Sequence, residues 1–400
     1  MPTNVKENGF ESSIVSWLVQ HNGYEQGSNA DYNKEIAMDE TRLFRFLNTT
    51  QADKMKQLRL ENDPLEKEKF LQRLDQSLHT NGVIDLLRKG FRYKHLVLDM
   101  FYVRPSPGNE TAAKLYAQNI FSVTRQLQYS RQNPLLALDV CLFLNGLPIA
   151  TMELKNQLTK QNAADAVKQY KDERTPDEVL FGFKRCIVHF AVDDNEVRMC
   201  TELKGQKSWF LPFNKGYNDG AGNPPNPDGI KTDYLWKEIL RKDDFSNIIE
   251  NYVQIICDED EETHKKSYKQ IFPRYHQLQL VTSLLADAKR DGVGKRYLIQ
   301  HSAGSGKSNS IAWLAHQLVT LKDATDHNIF DTVIVVTDRV NLDKQIRNTI
   351  RQFMQVSSTV GWAKDSSELG TLLEKGTKII ITIVHKFQFI LEDISKLHTN

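Results

Sequence analysis

The segment RYLIQHSAGSGKSNSIAWLAHQL limits the possible folds of this chain more than any other stretch of the sequence. Its apolar run at 296–300 leads into a glycine turn at 304–308, and the turn leads into an amphipathic helix. Further apolar runs at 332–337 and 378–384 follow helical patterns. This alternation predicts a parallel sheet with helical crossovers in this part of the chain.

The glycine turn also predicts a nucleotide site. Its glycines let backbone amides face phosphate oxygens, Lys307 reaches the β- and γ-phosphates, and the Ser308 hydroxyl ligates Mg²⁺. We therefore expect a nucleotide and Mg²⁺ as ligands, and the resemblance described below implies that the nucleotide is ATP. The predicted loop residues are Ser302, Gly304, Ser305, Gly306, Lys307 and Ser308.

A second stretch, LALDVCLFLNGLPIATMELKN, predicts a β-hairpin, because two β-rich runs flank Asn145-Gly146. A two-residue turn would pair position 144 with 147 and leave Asp139 and Glu153 on opposite faces. A three-residue loop would pair 143 with 147 and set Asp139, Glu153 and Lys155 on one face. We expect the longer loop, because the opposite face is then apolar and suits a core.

Two carboxylates and a lysine on one face predict phosphodiester hydrolysis. Asp139 and Glu153 would hold one or two Mg²⁺ ions, which neutralise the phosphate and lower the pKa of a bound water. Lys155 would orient that water. In the alternative interpretation, Asp139 only starts a strand and Glu153-Leu154-Lys155 is an exposed edge.

The order D-x13-E-x-K resembles the PD-(D/E)xK nuclease family. A glutamate on an upstream helix often completes the site in that family. Glu35, in DYNKEIAMDE, occupies such a position, because helical periodicity is predicted at 10–20, 32–48 and 64–76. The resemblance therefore adds Glu35 to Asp139, Glu153 and Lys155 as a candidate catalytic residue.

The region after residue 269 resembles superfamily 2 motors, which commonly lack the first glycine of GxxxxGK[ST]; here His301 replaces it. Gln277, in RYHQ, is similar to their adenine-binding Q motif, and Arg274 is expected to assist it. Thr337-Asp338-Arg339 and the Thr382–Phe387 segment, TIVHKF, look like motifs Ia and Ib. A Walker B motif is not recognisable, so we expect the chain to be the N-terminal part of a longer protein, able to bind ATP but not to hydrolyse it alone.

Taken whole, the chain resembles the restriction (R, motor) subunit of type I restriction enzymes, including the segments NGVIDLLRKGF, VTRQLQY and FLPFNKG. The resemblance implies ATP-driven movement of duplex DNA, non-specific cleavage, and partnership with methyltransferase and specificity subunits. The expected fold is α/β: a mixed-sheet nuclease domain at 1–257, an acidic linker at 258–268, and an incomplete RecA-like parallel-sheet lobe at 269–400.

Composition narrows the function classes less than the motifs do. The chain has 52 Lys+Arg and 51 Asp+Glu, a net charge of +1, so it is not basic overall. No apolar run approaches the roughly 20 residues of a membrane span, no signal sequence is evident and the four cysteines show no CxxC spacing. We expect a cytoplasmic protein with reduced thiols that does not bind membranes. Two alternatives remain open: a DNA translocase or remodeller with a non-catalytic N-terminal docking domain, and a nucleotide-binding regulatory protein.

Overall fold

The computed structural model describes residues 7–105, 108–156, 160–259, 263–323, 325–338, 346–351, 360–363 and 365–384. The chain divides into two compact units: Met1–Ile255 with Tyr268–Arg274, and Ile256–Ser267 with Tyr275–Asn400. The predicted acidic linker at 258–268 overlaps two paired strands, Gln254–Glu259 and Lys266–Ile271.

The first unit is a mixed α/β structure, as predicted. Its helices are α1 (Glu7–Gln20), α2 (Glu40–Thr50), α3 (Ala52–Leu58), α4 (Pro64–Asn81), α5 (Val83–Lys89), α6 (Glu110–Ala117), α7 (Ala163–Glu173) and α8 (Lys242–Asn251). The strands up to the linker hairpin are β1 (Glu25–Gln26), β2 (Tyr32–Asn33), β3 (Met38–Asp39), β4 (Phe91–Tyr93), β5 (Leu96–Leu98), β6 (Phe121–Gln128), β7 (Ala137–Leu144), β8 (Leu147–Leu154), β9 (Val188–Val192), β10 (Val197–Cys200) and β11 (Leu211–Pro212).

Seven of these strands form one sheet in the order β1-β6-β7-β8-β9-β10-β11. β1 and β6 are parallel, as are β8 and β9, and the other neighbours are antiparallel. All eight positions of β8 are buried, so both faces of this central strand are covered. The two strands that carry Asp139 and Glu153 therefore lie in the middle of the sheet.

The turn between β7 and β8 has two residues, so the expected three-residue loop is wrong. Leu144 pairs with Leu147, and Asn145 and Gly146 both have positive φ, 51° and 83°. Such a turn suits the twist of the two strands. A Cβ on Gly146 would lie 2.4 Å from the Asp39 carbonyl oxygen, so only glycine fits there.

A β-bulge then shifts the register by one residue. Phe143 pairs with Pro148, but Leu142 pairs with Ala150, which leaves Ile149 as the extra residue. Proline has no amide hydrogen to donate to the ladder, and a bulge beside it accommodates that loss. With the two-residue turn alone, Asp139 and Glu153 would lie on opposite faces of the hairpin. The one-residue shift at the bulge returns them to the same face.

The predicted helix at 32–48 forms only in its second half. Asp39 ends β3 and caps α2, because its Oδ1 accepts a 3.0 Å hydrogen bond from the Arg42 amide. Residues before this cap form the β2–β3 hairpin instead. The Asp39 N-cap thus sets the start of the helix at residue 40 and excludes the residues before it.

The second unit contains a parallel three-stranded sheet in the order β14 (Val333–Thr337), β16 (Ile379–Ile383) and β15 (Val360–Trp362). Two of its strands confirm the predicted apolar runs at 332–337 and 378–384. The predicted strand at 296–300 is not formed: these residues carry no strand pairing and are exposed, and Leu298 is 100% accessible. The helices after the linker include α9 (Tyr275–Asp291), α10 (Lys307–Leu318) and α11 (Ser366–Glu374), and the linker strands are β12 (Gln254–Glu259) and β13 (Lys266–Ile271).

Candidate active site and nucleotide loop

Three polar residues on neighbouring strands, Gln126, Asp139 and Glu153, lie opposite one another across the centre of the first sheet. Val140 pairs with Met152, so the same register carried one residue further sets Asp139 opposite Glu153. The β6–β7 register likewise sets Gln126 opposite Asp139. Lys155 follows Glu153 by two positions and thus continues on the same face. The structure therefore brings together the two predicted carboxylates and the predicted lysine.

Glu153 is completely buried, and its two oxygens have different surroundings. Arg174 Nε donates a 2.6 Å hydrogen bond to Oε1, and both side chains are almost inaccessible to solvent. Oε2 is buried and has no hydrogen-bond partner. Burial, reinforced by the nearby Asp139, raises the pKa of Glu153 to about 8, although Arg174 and Lys155 oppose this shift.

Arg174 is a site residue that the sequence analysis did not identify. It lies at the C-terminal cap of α7, where it also donates hydrogen bonds to Tyr129 Oη at 2.8 Å and to the Ala137 carbonyl at 2.9 Å. The guanidinium is thus held by β6–β7 as well as by the helix. It fixes the orientation of the Glu153 carboxylate, but no short motif around it signals this role.

Asp139 is half-buried and engaged on both oxygens. Its Oδ2 accepts a 2.7 Å hydrogen bond from the Leu154 amide, and Oδ1 accepts one from Gln126 Nε2 at 3.3 Å. Lys155 is buried apart from a small fraction, and its amide donates to the Val192 carbonyl at 2.8 Å. The site thus opens to solvent on the Asp139 side.

The helix carboxylate beside this row is Glu11 of α1, not Glu35. Glu11 is buried, and its oxygens accept hydrogen bonds from Arg125 Nε and Gln126 Nε2, both at 2.8 Å. Burial raises its pKa, and Asp139 adds to the shift. Glu35 lies in the turn between β2 and β3 and its side chain is exposed, so its predicted place on a helix is wrong. Glu11 lies in the predicted helix at 10–20, and this was the sequence signal that could have identified it as the helix carboxylate.

Gln126 joins the two acidic residues. The same Nε2 group donates to Glu11 and to Asp139, and the residue has a φ of 48° inside a strand. A non-glycine residue in the left-handed region is strained. This strained residue therefore lies directly opposite the candidate catalytic aspartate.

The predicted nucleotide loop is formed at the start of α10. Gly304 and Gly306 have φ values of 72° and 83°, and the helix begins at Lys307. Lys307 Nζ donates to the carbonyls of His301 and Ser302, at 3.3 and 3.0 Å. Ser308 is half-buried in the first turn, and Ser305 is buried with an Oγ that has no hydrogen-bond partner.

Gln277 contacts this loop directly. Its Nε2 donates to the Ser305 and Gly306 carbonyls, at 3.2 and 2.9 Å, and a Cβ on Gly306 would approach it to 2.5 Å. Arg274, its predicted assistant, is the last residue of the first unit. Thr337 ends β14 and Thr382 lies within β16, whereas Arg339 and His385–Phe387 fall outside the described residues.

Two family models match this chain. Residues 4–208, more than half of the chain, match the family model described as type I restriction enzyme R protein N terminus. The chain belongs to this family. Residues 276–400 match a second family model, described as SWI2/SNF2 ATPase.

Curated relatives agree with these matches. The chain is 25% identical over 284 residues to the type I restriction enzyme HindI endonuclease subunit of Haemophilus influenzae, covering 68% of this chain and 25% of that protein. It is 25% identical over 389 residues to the SauMSSORF170P endonuclease subunit of Staphylococcus aureus, covering 95% of this chain and 37% of that protein. The chain thus spans between a quarter and two fifths of these relatives.

Within the described ranges, no helix has the length and apolar character needed to traverse a bilayer.

Proposed function

We propose that this chain supplies a type I restriction enzyme with a metal-dependent DNA cleavage site and with an ATP-binding loop for DNA translocation. The observation that carries the first half is the placement of Asp139 opposite Glu153, with Lys155 on the same face. The formed loop at Gly306–Lys307 supports the second half. Both halves agree with the endonuclease subunits to which the chain is similar.

The donor set of the first site suits Mg²⁺. Carboxylate oxygens are the ligands this hard cation prefers, and the buried Oε2 of Glu153 has no hydrogen-bond partner. Within the described residues no group of three or more His, Cys, Asp or Glu side chains has an arrangement that could hold a metal ion, so Asp139 and Glu153 would hold the ion with the help of backbone oxygens or water. When bound, Mg²⁺ would neutralise the scissile phosphate and activate a water.

The protein residues around this site have separable tasks. Arg174 holds one oxygen of Glu153, which leaves the other available as a ligand that would hold the cation. Lys155, close to Glu153, would orient the attacking water and stabilise negative charge on the phosphate. The half-buried Asp139 faces the side from which DNA would enter. Each task needs a fixed position, and the central strands supply it.

The nucleotide site is proposed on similar grounds. Backbone amides of the loop and Lys307 would hold the phosphates of ATP, Ser308 would ligate its Mg²⁺, and Gln277 would contact the adenine or support the loop. Glycine is favoured at position 306 because its φ is 83°, and a Cβ there would also crowd the Gln277 amide. Duplex DNA, methyltransferase and specificity subunits as partners, and a cytoplasmic location, belong to the same proposal.

Single substitutions test the cleavage site. Asp139→Ala and Lys155→Ala should each abolish Mg²⁺-dependent nicking of plasmid DNA by the complete restriction complex while translocation and ATP hydrolysis continue. Glu11→Gln should reduce nicking, and Glu35→Gln serves as the matched control that should not. Unaltered cleavage by Asp139→Ala and Lys155→Ala would instead support a non-catalytic docking domain.

The nucleotide loop has its own test. Lys307→Ala should lose ATP binding, measured by calorimetry on this chain, while nicking in the absence of nucleotide is unchanged. The neighbouring Lys295, which is also exposed but lies outside the loop, provides the control Lys295→Ala. Equal ATP affinity of wild type and Lys307→Ala would refute the assignment of the loop.

A further inference from the structure

The first unit carries a basic groove that the cleavage site does not use. It lies between α4 and the β4–β5 hairpin, and its volume is about 500 Å³. Four of its eight lining residues are cations and none is a carboxylate. The lining residues are Lys69, Arg73, Ser77, Asn81, Gly90, Arg92, Tyr93 and Lys94.

Little of this positive charge is neutralised within the protein. Lys94 forms an ion pair with Glu66, which also accepts a 2.8 Å hydrogen bond from Tyr93 Oη. Arg73 donates only to an uncharged amide oxygen, that of Gln76. The charge of the four cations and Glu66 therefore sums to about +3 in a chain whose net charge is +1. Such a local excess requires an explanation.

The groove is built on rigid elements. Lys69, Arg73, Ser77 and Asn81 are spaced four residues apart on α4, so successive donors lie about 6 Å apart along the helix axis. The hairpin is fixed to the helix by buried aromatic rings, since the Phe70 centroid lies 5.3 Å from that of Phe91 and 5.1 Å from that of Tyr93. The donors are thus presented as an ordered row.

We propose that the basic groove binds the phosphodiester backbone of duplex DNA. Lysine and arginine side chains offer donors and no acceptors, and a row of regularly spaced donors matches a row of phosphates better than it matches a single small anion. The binding is electrostatic and independent of sequence. The inference rests on the proposed function for its choice of DNA, and it adds a second contact outside the catalytic row.

The test is a salt titration of DNA binding by the whole 400-residue chain. A fluorescent blunt duplex is titrated in EDTA, so that cleavage cannot occur, with wild type and with the triple variant Lys69→Gln, Arg73→Gln, Arg92→Gln. Each lost phosphate contact lowers the slope of log K against log salt by about 0.9, so we expect a reduction of about 2.7. Affinity near physiological salt should fall at least about tenfold.

A matched triple variant controls for net charge. It removes three exposed cations elsewhere on the first unit: Lys114→Gln, Lys204→Gln and Arg241→Gln. This control should keep the wild-type slope, and both triple variants should keep the wild-type melting temperature. The proposal is overturned if the two triple variants lose affinity equally, if wild type fails to bind duplex, or if polyglutamate competes as well as DNA does.

The result of the DNA-binding titration does not depend on whether the chain cleaves DNA. Weakened binding by the groove variant together with a wild-type protein that never nicks DNA would retain the groove and refute the nuclease. Normal nicking that depends on Asp139, together with unchanged DNA binding by the groove variant, would retain the nuclease and refute the groove.

Discussion

The two candidate sites differ in how the protein holds them. Asp139 and Glu153 lie on the central strands of a seven-stranded sheet, and every residue of β8 is buried. The nucleotide loop lies between an exposed, unpaired stretch at 296–300 and the first turn of α10. One site is enclosed by the core, and the other depends on a helix terminus.

This difference follows from the charges each site must hold. Two carboxylates close together repel each other, and only a rigid frame with a compensating cation such as Arg174 keeps them in place. A phosphate loop has no such repulsion, because backbone amides at a helix N-terminus provide the positive potential. The loop can therefore form with little support from the sheet.

Hydrogen exchange gives the largest expected contrast between the two regions. Amides in the middle of β7 and β8 should exchange only on global unfolding, with opening free energies of about 5–15 kcal/mol. Amides at 296–300 should exchange almost at the unprotected rate, because no strand pairs with them in the described structure. Comparable protection of both stretches, measured by mass spectrometry, would contradict the claim that the core encloses β7 and β8 but not residues 296–300.

Loss of the buried cation should have the next largest effect. Arg174→Met leaves Glu153 buried without its partner, so the free energy of unfolding should fall by about 3–5 kcal/mol in urea titrations. Lys307→Met is the matched change in the exposed loop, and it should alter stability by no more than about 0.5 kcal/mol.

A double variant separates the charge from the shape of Arg174. Replacing both partners, Glu153→Met with Arg174→Met, removes the buried carboxyl that Arg174→Met leaves without a partner, and it should recover most of the lost stability. A double variant as unstable as Arg174→Met alone would show that Arg174 acts through its contacts with Tyr129 and Ala137 instead.

Sequence alone predicted much of this organisation, and its errors have physical causes. The row of Asp139, Glu153 and Lys155 was predicted, but through a longer loop, because a bulge next to Pro148 leaves no clear periodic signal. Glu35 was chosen because helical periodicity extends across the true start of α2, which the Asp39 cap determines.

Tertiary contacts explain the remaining errors. Arg174 and Glu11 reach the site through the fold, and only Glu11 has a local signal, its place in a helical pattern. The run at 296–300 has strand composition, yet a strand needs a neighbour, and none of the described strands pairs with it. The local pattern of a segment therefore predicted its tendency to form a helix or a strand more securely than it predicted the segments against which it packs.

Acid should destabilise the enclosed region through His189. Burial lowers the pKa of this side chain to about 3, and its Nδ1 lies 2.7 Å from the Thr151 hydroxyl. The unfolded chain takes up a proton below pH of about 6.5 whereas the folded one does not, so stability falls as the pH decreases. Each pH unit between about 6 and 4 should cost about 1.4 kcal/mol more in wild type than in His189→Gln. Equal pH slopes in urea titrations would contradict this.

Gln126 gives the smallest and most local prediction. Its amide orients Asp139 and Glu11 together, so Gln126→Ala should weaken Mn²⁺ binding, measured by calorimetry, by about tenfold. Gln126→Gly also removes the amide but relieves the strain of a φ of 48°. Both variants should therefore bind the metal equally weakly, while Gln126→Gly should be more stable than Gln126→Ala by about 1 kcal/mol. Wild-type metal affinity in either variant would mean that the central strands alone fix the carboxylates.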